Sequence, residues 1–373
     1  MTSGEFEFRR RLFSGLLDHC FQFCPNNRDI IRYEFNWRGR VRWWSEERLY
    51  TLLSRFGLTR RHGDPSVAKA SIEFILDNLA ALESLYGLLA DQASRDRLVE
   101  VLLLRILGER HVRLSAYREN DDEASARVQK LLMRKNTDAV PNYIHPLHLW
   151  KVPGHERPIE LHADGFTVRN TFLLEEYIYR SDRVKIEACP GDVVIDGGGC
   201  WGDTALYFAD RVGSTGRVHS FEFDPENIRI FGENLRLNSD LRDRVQVVPF
   251  ALWDVSGQQH GITGSGATSS LSASAPSGSL AETRSIDDYV RAACGKVNYI
   301  KLDIEGAELN ALRGAESTLR TFRPKLAVCL YHQMSDFVRI PAYLEGLGLG
   351  YSFYLGHVTR YHEETVLFAL PPS

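Results

Sequence analysis

The chain has 373 residues, a formal net charge of −4 at pH 7, 43% hydrophobic and 25% charged residues. That length holds roughly two domains of ordinary size and buries a core without metal or disulfide staples. The small charge excludes a protein built mainly to coat nucleic acid. The six cysteines, at 20, 24, 189, 200, 294 and 329, form no Cys-x-x-Cys pair and no zinc-ligand spacing, so free thiols in a reducing cytoplasm are expected.

At the N-terminus Arg9, Arg10 and Arg11 precede Leu12 and Phe13, but Asp18 and His19 interrupt the apolar stretch too early for a signal peptide. No run approaches the ~20 apolar residues of a membrane span. A cytoplasmic protein is expected. Phe6, Phe8, Leu12, Phe13 and Leu16 are read as packing on the protein itself or on a second copy, a homodimer, rather than on a membrane surface. The segment Arg32–Arg48 mixes aromatics with arginines and reads as a half-buried hairpin.

Between Val67 and Leu89 the residues Ile72, Ile75, Leu76, Leu79, Leu82, Leu85 and Leu89 recur every three or four positions, one face of an amphipathic helix. Asp64-Pro65 is its expected start. A second helix is expected over Ser94–Leu107, closed by Gly108, and a third over Ser125–Met133. Prolines 141, 146, 153 and 158 then mark a linker. The expected organisation is a mainly helical N-terminal domain over 1–140, a linker over 141–158 and an α/β domain over 159–373. By elimination, the first would supply acceptor specificity or dimerisation.

Beyond the linker, short Val/Ile/Phe runs alternate with helical stretches. Strands are expected at Asp192–Gly198, Arg217–Asp224, Val245–Leu252, Tyr299–Ile304, Lys325–His332, Tyr351–Gly356 and Thr365–Leu370. Such alternation implies βαβ units and a mostly parallel sheet. The last connection is too short for a crossover helix, so the final strand should be antiparallel. The Ser/Gly-rich segment 255–281 is too long for an ordinary connection and reads as a lid or an unstructured insert.

The text from Val193 to Thr204 runs from a buried strand through Asp196-Gly197-Gly198-Gly199-Cys200-Trp201-Gly202 into a helix. Glycines let the backbone turn and approach a ligand, and the helix start presents free N–H groups. The G-x-G-x-x-G spacing alone would equally suit a dinucleotide. Asp196 is the expected discriminator: its carboxylate repels a pyrophosphate and attracts a cationic amino-acid moiety with an ammonium and a sulfonium. Glu222, at the tip of the next strand in Phe221-Glu222-Phe223-Asp224-Pro225, is expected to accept both hydroxyls of a ribose. After the third strand, Trp253 is placed to stack on adenine and Asp254 to accept from its amine. An equal alternative makes them a core tryptophan and a turn cap.

Tyr299–Glu308 carries Lys301, Asp303 and Glu305 on one face by period two, and charges on a central strand are costly unless they serve a site. His332, at the next strand tip, is the expected base for a hydroxyl attacking a methyl group. The rival arrangement is a Mg²⁺ held by Asp303, Glu305 and His332.

Together, Asp196–Thr204, Phe221–Asn227, Asn234 with Asn238, Ile286-Asp287-Asp288, Ile300–Glu308, Pro324–His332 and Glu364–Phe368 resemble the FkbM family of methyltransferases, over about Ile159 to Leu370. The resemblance implies a class I methyltransferase fold, a Rossmann-like seven-stranded sheet with an antiparallel last strand. It also implies S-adenosyl-L-methionine as donor and O-methylation of a hydroxyl on a small-molecule or glycan acceptor. Polyketide-type natural products are the alternative acceptors, and an NAD-dependent oxidoreductase is the reading from another class. By position Asp196, Gly197, Gly199, Trp201, Thr204, Glu222, Phe223 and Asn227 fall on the cofactor side, and Lys301, Asp303, Glu305 and His332 on the acceptor side. The triple glycine followed by Cys200-Trp201 departs from the usual Gly-Ala, and Glu222-Phe223-Asp224-Pro225 replaces the commoner Glu-Pro-Asp-Pro; neither change removes a needed carboxylate.

Overall fold

The computed structural model describes residues 3–20, 65–108, 112, 114–115, 120–134, 146–272 and 280–372; the expected Arg32–Arg48 hairpin lies outside them. The N-terminal part is helical: α1 (Ser3–Cys20), α2 (Pro65–Asp77), α3 (Leu79–Leu88), α4 (Gln92–Leu107) and α5 (Asn120–Leu131). The single helix expected from Val67 to Leu89 is two helices. Asn78 breaks it with φ −114° and ψ 18°, and its side-chain amide donates back to the Phe74 carbonyl at 2.9 Å. Such local side-chain bonds compete with helical continuation. Asp91 caps α4 by accepting from the Ser94 N–H at 2.9 Å, and Gly108 closes it with φ 80°.

A short antiparallel sheet follows: β1 (Leu132–Arg134), β2 (His148–Val152) and β3 (Ile159–Ala163). A π-helical stretch, Val168–Leu174, leads to a small hairpin of β4 (Tyr179–Arg180) and β5 (Lys185–Ile186). Then come β6 (Val193–Gly197), α6 (Asp203–Val212), β7 (Arg217–Phe221), α7 (Pro225–Leu237) and β8 (Val245–Val248). Asn234 of α7 and Asn238, just past its end, dock β3 onto this layer. Their amides bond the backbone of His162 and Glu160, and Asn234 also donates to the Trp201 carbonyl at 2.8 Å.

The expected strand Val245–Leu252 ends early, because Pro249 has no N–H to offer a ladder. Its remainder, β9 (Ala251–Leu252), joins β10 (Gln259–Thr263), β11 (Ser270–Ser272) and β12 (Leu280–Arg284) in a second sheet of order β11-β10-β12-β9. The Ser/Gly-rich insert is therefore structured over its described residues. It is tied to the body by Asn227, which donates to the Gly266 carbonyl at 3.0 Å, and by Ser269, which donates to Asp224 at 2.8 Å.

The last elements are α8 (Ile286–Tyr289), β13 (Tyr299–Leu302), α9 (Glu308–Arg313), α10 (Glu316–Phe322), β14 (Lys325–Cys329), α11 (Asp336–Gly346), β15 (Ser352–His357) and β16 (Thr365–Leu370). The main sheet has seven strands in the order β15-β16-β14-β13-β6-β7-β8. β14, β13, β6, β7 and β8 pair in parallel, and β16 runs antiparallel to both its neighbours. The fold is the expected α/β class with an antiparallel last strand and a helical N-terminal region.

Strand alternation sends Ile300, Leu302, Leu326 and Val328 to one face and Tyr299, Ala327 and Cys329 to the other. The first face shares one hydrophobic cluster with Phe8, Leu12, Leu82, Leu85, Leu98 and Leu102 of the N-terminal helices. These helices also cover the edge of β15. Leu89 bridges to Phe353, the Ala90 N–H donates to the Phe353 carbonyl at 2.8 Å, and the Leu355 N–H donates to Ser94 Oγ at 2.9 Å. Covering an edge strand removes a template for unwanted pairing.

Candidate active site

The glycine turn after β6 is pinned from both sides. The N–H groups of Gly198 and Gly199 donate to the Phe221 carbonyl at 3.1 and 2.8 Å. Gly198 has φ 82°, and a Cβ there would fall 1.9 Å from the Asp303 carbonyl oxygen. Only glycine fits that crossing of two chains. Beneath the turn, Lys301 Nζ donates to the carbonyls of Gly197 and Gly198 at 2.9 and 2.8 Å and pairs with Asp196 at 3.3 Å. Burial opposes the Lys301 charge, but Asp196 and Asp303 outweigh it and hold the ammonium above its ordinary value.

Asp196 was expected to face the crevice. It is fully buried and does not line the cavity. Its carboxylate accepts from Thr204 Oγ1 at 2.9 and 3.1 Å and from Ser220 Oγ at 2.7 Å, besides Lys301. A buried carboxylate needs such partners, and these turn it under the loop. The acid that does reach the cavity is Asp203, in the first turn of α6. It is 4% exposed, its Oδ1 has no hydrogen-bond partner, and burial raises it to about 8. No motif pointed to it beyond its place after the turn.

The cavity holds about 440 Å³ between the glycine turn, the insert and the loops after β13, β14 and β15. Of the expected residues, Thr204, Glu222, Phe223, Lys301, Asp303 and Glu305 line it. Gly197, Gly199, Trp201, Asn227, Trp253, Asp254 and His332 do not. Trp201 is buried in the core with Phe208 and Phe231. Trp253 lies over His260, ring centroids 5.1 Å apart, and its expected place in the wall belongs to Phe250, Ala251 and Leu252. The turn at Pro249 shifts which side chains face inward. Glu222 is 5% exposed and accepts from the Asp224 N–H at 2.7 Å; burial pushes it up to about 7. Asn227 sits beside it and holds Gly266 of the insert.

At the other end, Asp303 lies just beyond β13. Tyr177 donates to its Oδ2 at 2.7 Å and Tyr331 to its Oδ1 at 2.8 Å. Burial raises the carboxyl, but Lys301, His332 and the two hydroxyls outweigh it and hold Asp303 below its ordinary range. Tyr331 belongs to a segment anchored from the N-terminal helices: Arg105 of α4 donates to the carbonyls of Tyr331 and His362 at 3.0 Å each.

His332 was expected as the base. Its Nδ1 pairs with Glu308 at 2.8 Å and its Nε2 with Asp303 at 3.3 Å and Glu305 at 3.4 Å. Burial disfavours the charged ring, yet Glu308, Glu305 and Asp303 carry it well above its ordinary value. An imidazole already protonated at neutral pH takes up no further proton. This ring is a fixed cation behind the Asp303 loop.

The same geometry bears on the expected Mg²⁺. Ligand atoms of Asp303, Glu308 and His332 lie within 4.8 Å of one another. The imidazolium pairs with these carboxylates, and tyrosine hydroxyls donate to both oxygens of Asp303. Mg²⁺ requires near-octahedral oxygen ligands, which this set does not offer. The residues do not fit that ion.

Among the lining carboxyls not expected as site residues, two stand together. Glu176, before β4, and Glu364, before β16, are 5% and 8% exposed and line the same end of the cavity as neighbours. Thr171 donates to Glu176, at 2.8 Å. Burial raises Glu176 to about 7 and takes Glu364 well above its ordinary value, helped there by Glu176 and Asp303.

Residues 185–353 match the model of a family described as the methyltransferase FkbM domain. Among solved structures, the methyltransferase FkbM of Methylobacillus flagellatus KT is 20% identical, with a TM-score of 0.51; the match covers 86% of this chain and 65% of that one. The chain thus spans less than two thirds of that protein's length, and the likeness shows the fold. Fibrillarin of Aeropyrum pernix, in complex with S-adenosyl-L-methionine, is 12% identical over 64% of this chain and 100% of that chain, with a TM-score of 0.34. An O-methyltransferase from Bacillus cereus in complex with SAH is 13% identical over 49% of this chain and 75% of that chain, also at 0.34. Those two are too distant to bear on this site. No curated protein matches the chain.

Proposed function

We propose, from a chain whose residues 185–353 match the model of the methyltransferase FkbM domain, that the protein transfers a methyl group from S-adenosylmethionine to a hydroxyl of a sugar or glycan. The observation that carries this reading is the carboxyl lining of one cavity, with Asp203 and Glu222 beside the glycine turn and Asp303, Glu176 and Glu364 beyond it. A donor with an ammonium, a sulfonium and two ribose hydroxyls meets groups of the right sign there. The pyrophosphate of a dinucleotide meets buried acids, which favours the methyl donor over NAD.

The residues fit that donor. The unpartnered Asp203 oxygen suits the ammonium, and Glu222 at the tip of β7 suits the ribose. Phe221, Phe223, Phe250 and Leu252 offer apolar walls for a purine, and Gly266–Ser269 of the insert cover them. When bound, the donor supplies an activated methyl group. The protein's part is to align the acceptor oxygen with it and exclude water. The acceptor end is polar, with carboxyls and tyrosine hydroxyls that match a polyol better than an apolar acceptor. No helix among the described residues is long and apolar enough to cross a membrane.

Isothermal titration with S-adenosylhomocysteine, with NAD titrated in parallel, tests the donor. Micromolar binding of the first and none of the second is expected. Binding of NAD alone would overturn the reading. Methyl transfer to a panel of neutral methyl glycosides then tests the acceptor class.

A further inference from the structure

Beyond the residues that position Asp303, the acceptor end holds two carboxyls that face each other with little access to water. Glu176 follows the π-helical stretch, and Glu364 ends the loop between β15 and β16. Two carboxyls buried side by side in one cavity wall cannot both ionise cheaply, since like charges repel where water is scarce. Glu364 Oε2 is buried with no hydrogen-bond partner, in a residue that lines the cavity. The residue is also held at φ 65°, a left-handed conformation that costs a non-glycine residue about 1 kcal/mol or more. We infer that Glu176 and Glu364 form a dyad that keeps one proton between its carboxyls and takes the proton of the acceptor hydroxyl.

The inference rests on the methyltransfer reading and completes it at the point where His332 fails. His332 is already protonated, and Asp303 is held as a carboxylate with its oxygens engaged by Tyr177, Tyr331 and His332. The dyad is the adjacent group with both a vacant oxygen and a shared proton. As the acceptor oxygen bonds to the methyl carbon, the carbon–sulfur bond breaks and its electron pair stays on sulfur. The hydroxyl proton passes to the ionised member of the dyad, which then returns one proton to solvent. Charge and atoms balance without a further reactant.

The charges around the pair are few. Glu176 faces Asp303 and Lys301, with Thr171 as a neutral donor. Glu364 faces Asp303 and Glu363. Tyr177, Tyr331 and Cys329 are nearby and neutral, each raised first by burial. Arg105 of α4 lies under the same loop through the His362 carbonyl.

The test is a carbon-13 titration of the full chain labelled at the glutamate side-chain carboxyl, saturated with S-adenosylhomocysteine, for wild type, E176Q and E364Q. In the wild type the two carboxyls should titrate together in coupled steps, one near neutral pH. Either glutamine variant should leave its partner with a single uncoupled step. Ordinary titration of both wild-type carboxyls below about pH 5.5 would overturn the dyad, and sequential assignment of the wild-type signals keeps this readable even if a variant does not fold. Transfer to methyl glycosides should fall on the order of a hundredfold in each variant, with S-adenosylhomocysteine affinity within about threefold of wild type. Unchanged transfer would also overturn the proposal. Failure of the wild type to bind S-adenosylhomocysteine would instead sink the methyltransfer reading, and normal binding without the coupled titration would sink only the dyad.

Discussion

Lys301 lines the cavity, yet its ammonium is spent on the glycine turn and on Asp196. Its ammonium is sealed under the glycine turn, 3.3 Å from a fully buried Asp196. Removing one partner of a buried pair leaves the other charge uncompensated, at a cost of about 3–5 kcal/mol. Lys301→Met should therefore lower the unfolding free energy by that order in urea titrations, and K301M/D196N should recover part of the loss. A K301M protein as stable as wild type would mean that the pair is not what holds the turn. Lys301, Asp303 and Glu305 were legible in the sequence as anomalous charges on and just beyond a buried strand. Their partners were not, because which way Asp196 turns depends on Thr204 and Ser220 reaching it across the fold.

Buried acids in and around the cavity give the ligand-free protein an unusual dependence on pH. Burial raises Asp203 to about 8 and Glu176, Glu222 and Asp336 each to about 7. The folded chain then binds more protons than the unfolded one around neutrality. That stabilisation is fully present below the ordinary carboxyl range, about pH 4, and is lost as pH rises through 7 to 8. His332, held above its ordinary value, acts in the same direction from about pH 6.5 upward. His219 and His357 are held below theirs, and their opposing effect is complete by about pH 7. The midpoint of thermal unfolding should accordingly fall between pH 6.5 and 8.5 at constant ionic strength. A midpoint that rises over that interval would contradict the burial of these groups.

Among the elements, the N-terminal half of α4 works as an edge cover. Ser94 Oγ accepts the Leu355 N–H at 2.9 Å and lies 3.1 Å from the Tyr179 hydroxyl, which donates to Asp91 at 2.6 Å. Ser94→Ala leaves a buried N–H unsatisfied, a loss of about 1–3 kcal/mol. It should appear in thermal unfolding and as faster hydrogen exchange at Leu355; exchange at wild-type rate would show that the edge is held by something else. The helices and strands of this layer were readable from periodicity, and the antiparallel last strand from the short connection before it. The break at Asn78 and the split at Pro249 were not, since a single polar or imino residue outvoted a continuous apolar pattern. The insert defeated the reading for another reason. Its Ser/Gly composition carries no periodicity, and its anchors, Asn227 and Asp224, lie on a different element.

For the molecule as a whole, composition and proline spacing suggested a helical unit joined by a linker to an α/β unit. The described helices share a hydrophobic cluster with the sheet, through Leu82, Leu85, Leu98 and Leu102 against residues such as Ile300, Leu326 and Phe353. A fragment beginning at residue 146 would expose that face to water, at roughly 25 cal/mol per Å². It should fail to unfold cooperatively and should bind a hydrophobic dye, whereas a fragment with a sharp unfolding transition would show that the α/β part stands alone. Dyad members Glu176 and Glu364 belong to this scale too. They meet only because the fold brings the start of β16 beside the segment before β4, a juxtaposition no local motif announces.

The place of β16 has a consequence for how the protein is made. Residues 365–370 are synthesised after every other described strand, yet they lie between β14 and β15 rather than at a margin of the sheet. A nascent chain still short of residue 365 carries two open strand edges facing one slot, the kind of surface that recruits chaperones or mispairs with a neighbour on the same polysome. Glu364 directly precedes the strand that fills the slot, so the cavity is completed only when the sheet is. Emergence of the final strand from the ribosome is thus one event for both stability and activity, and no active species is expected to precede it.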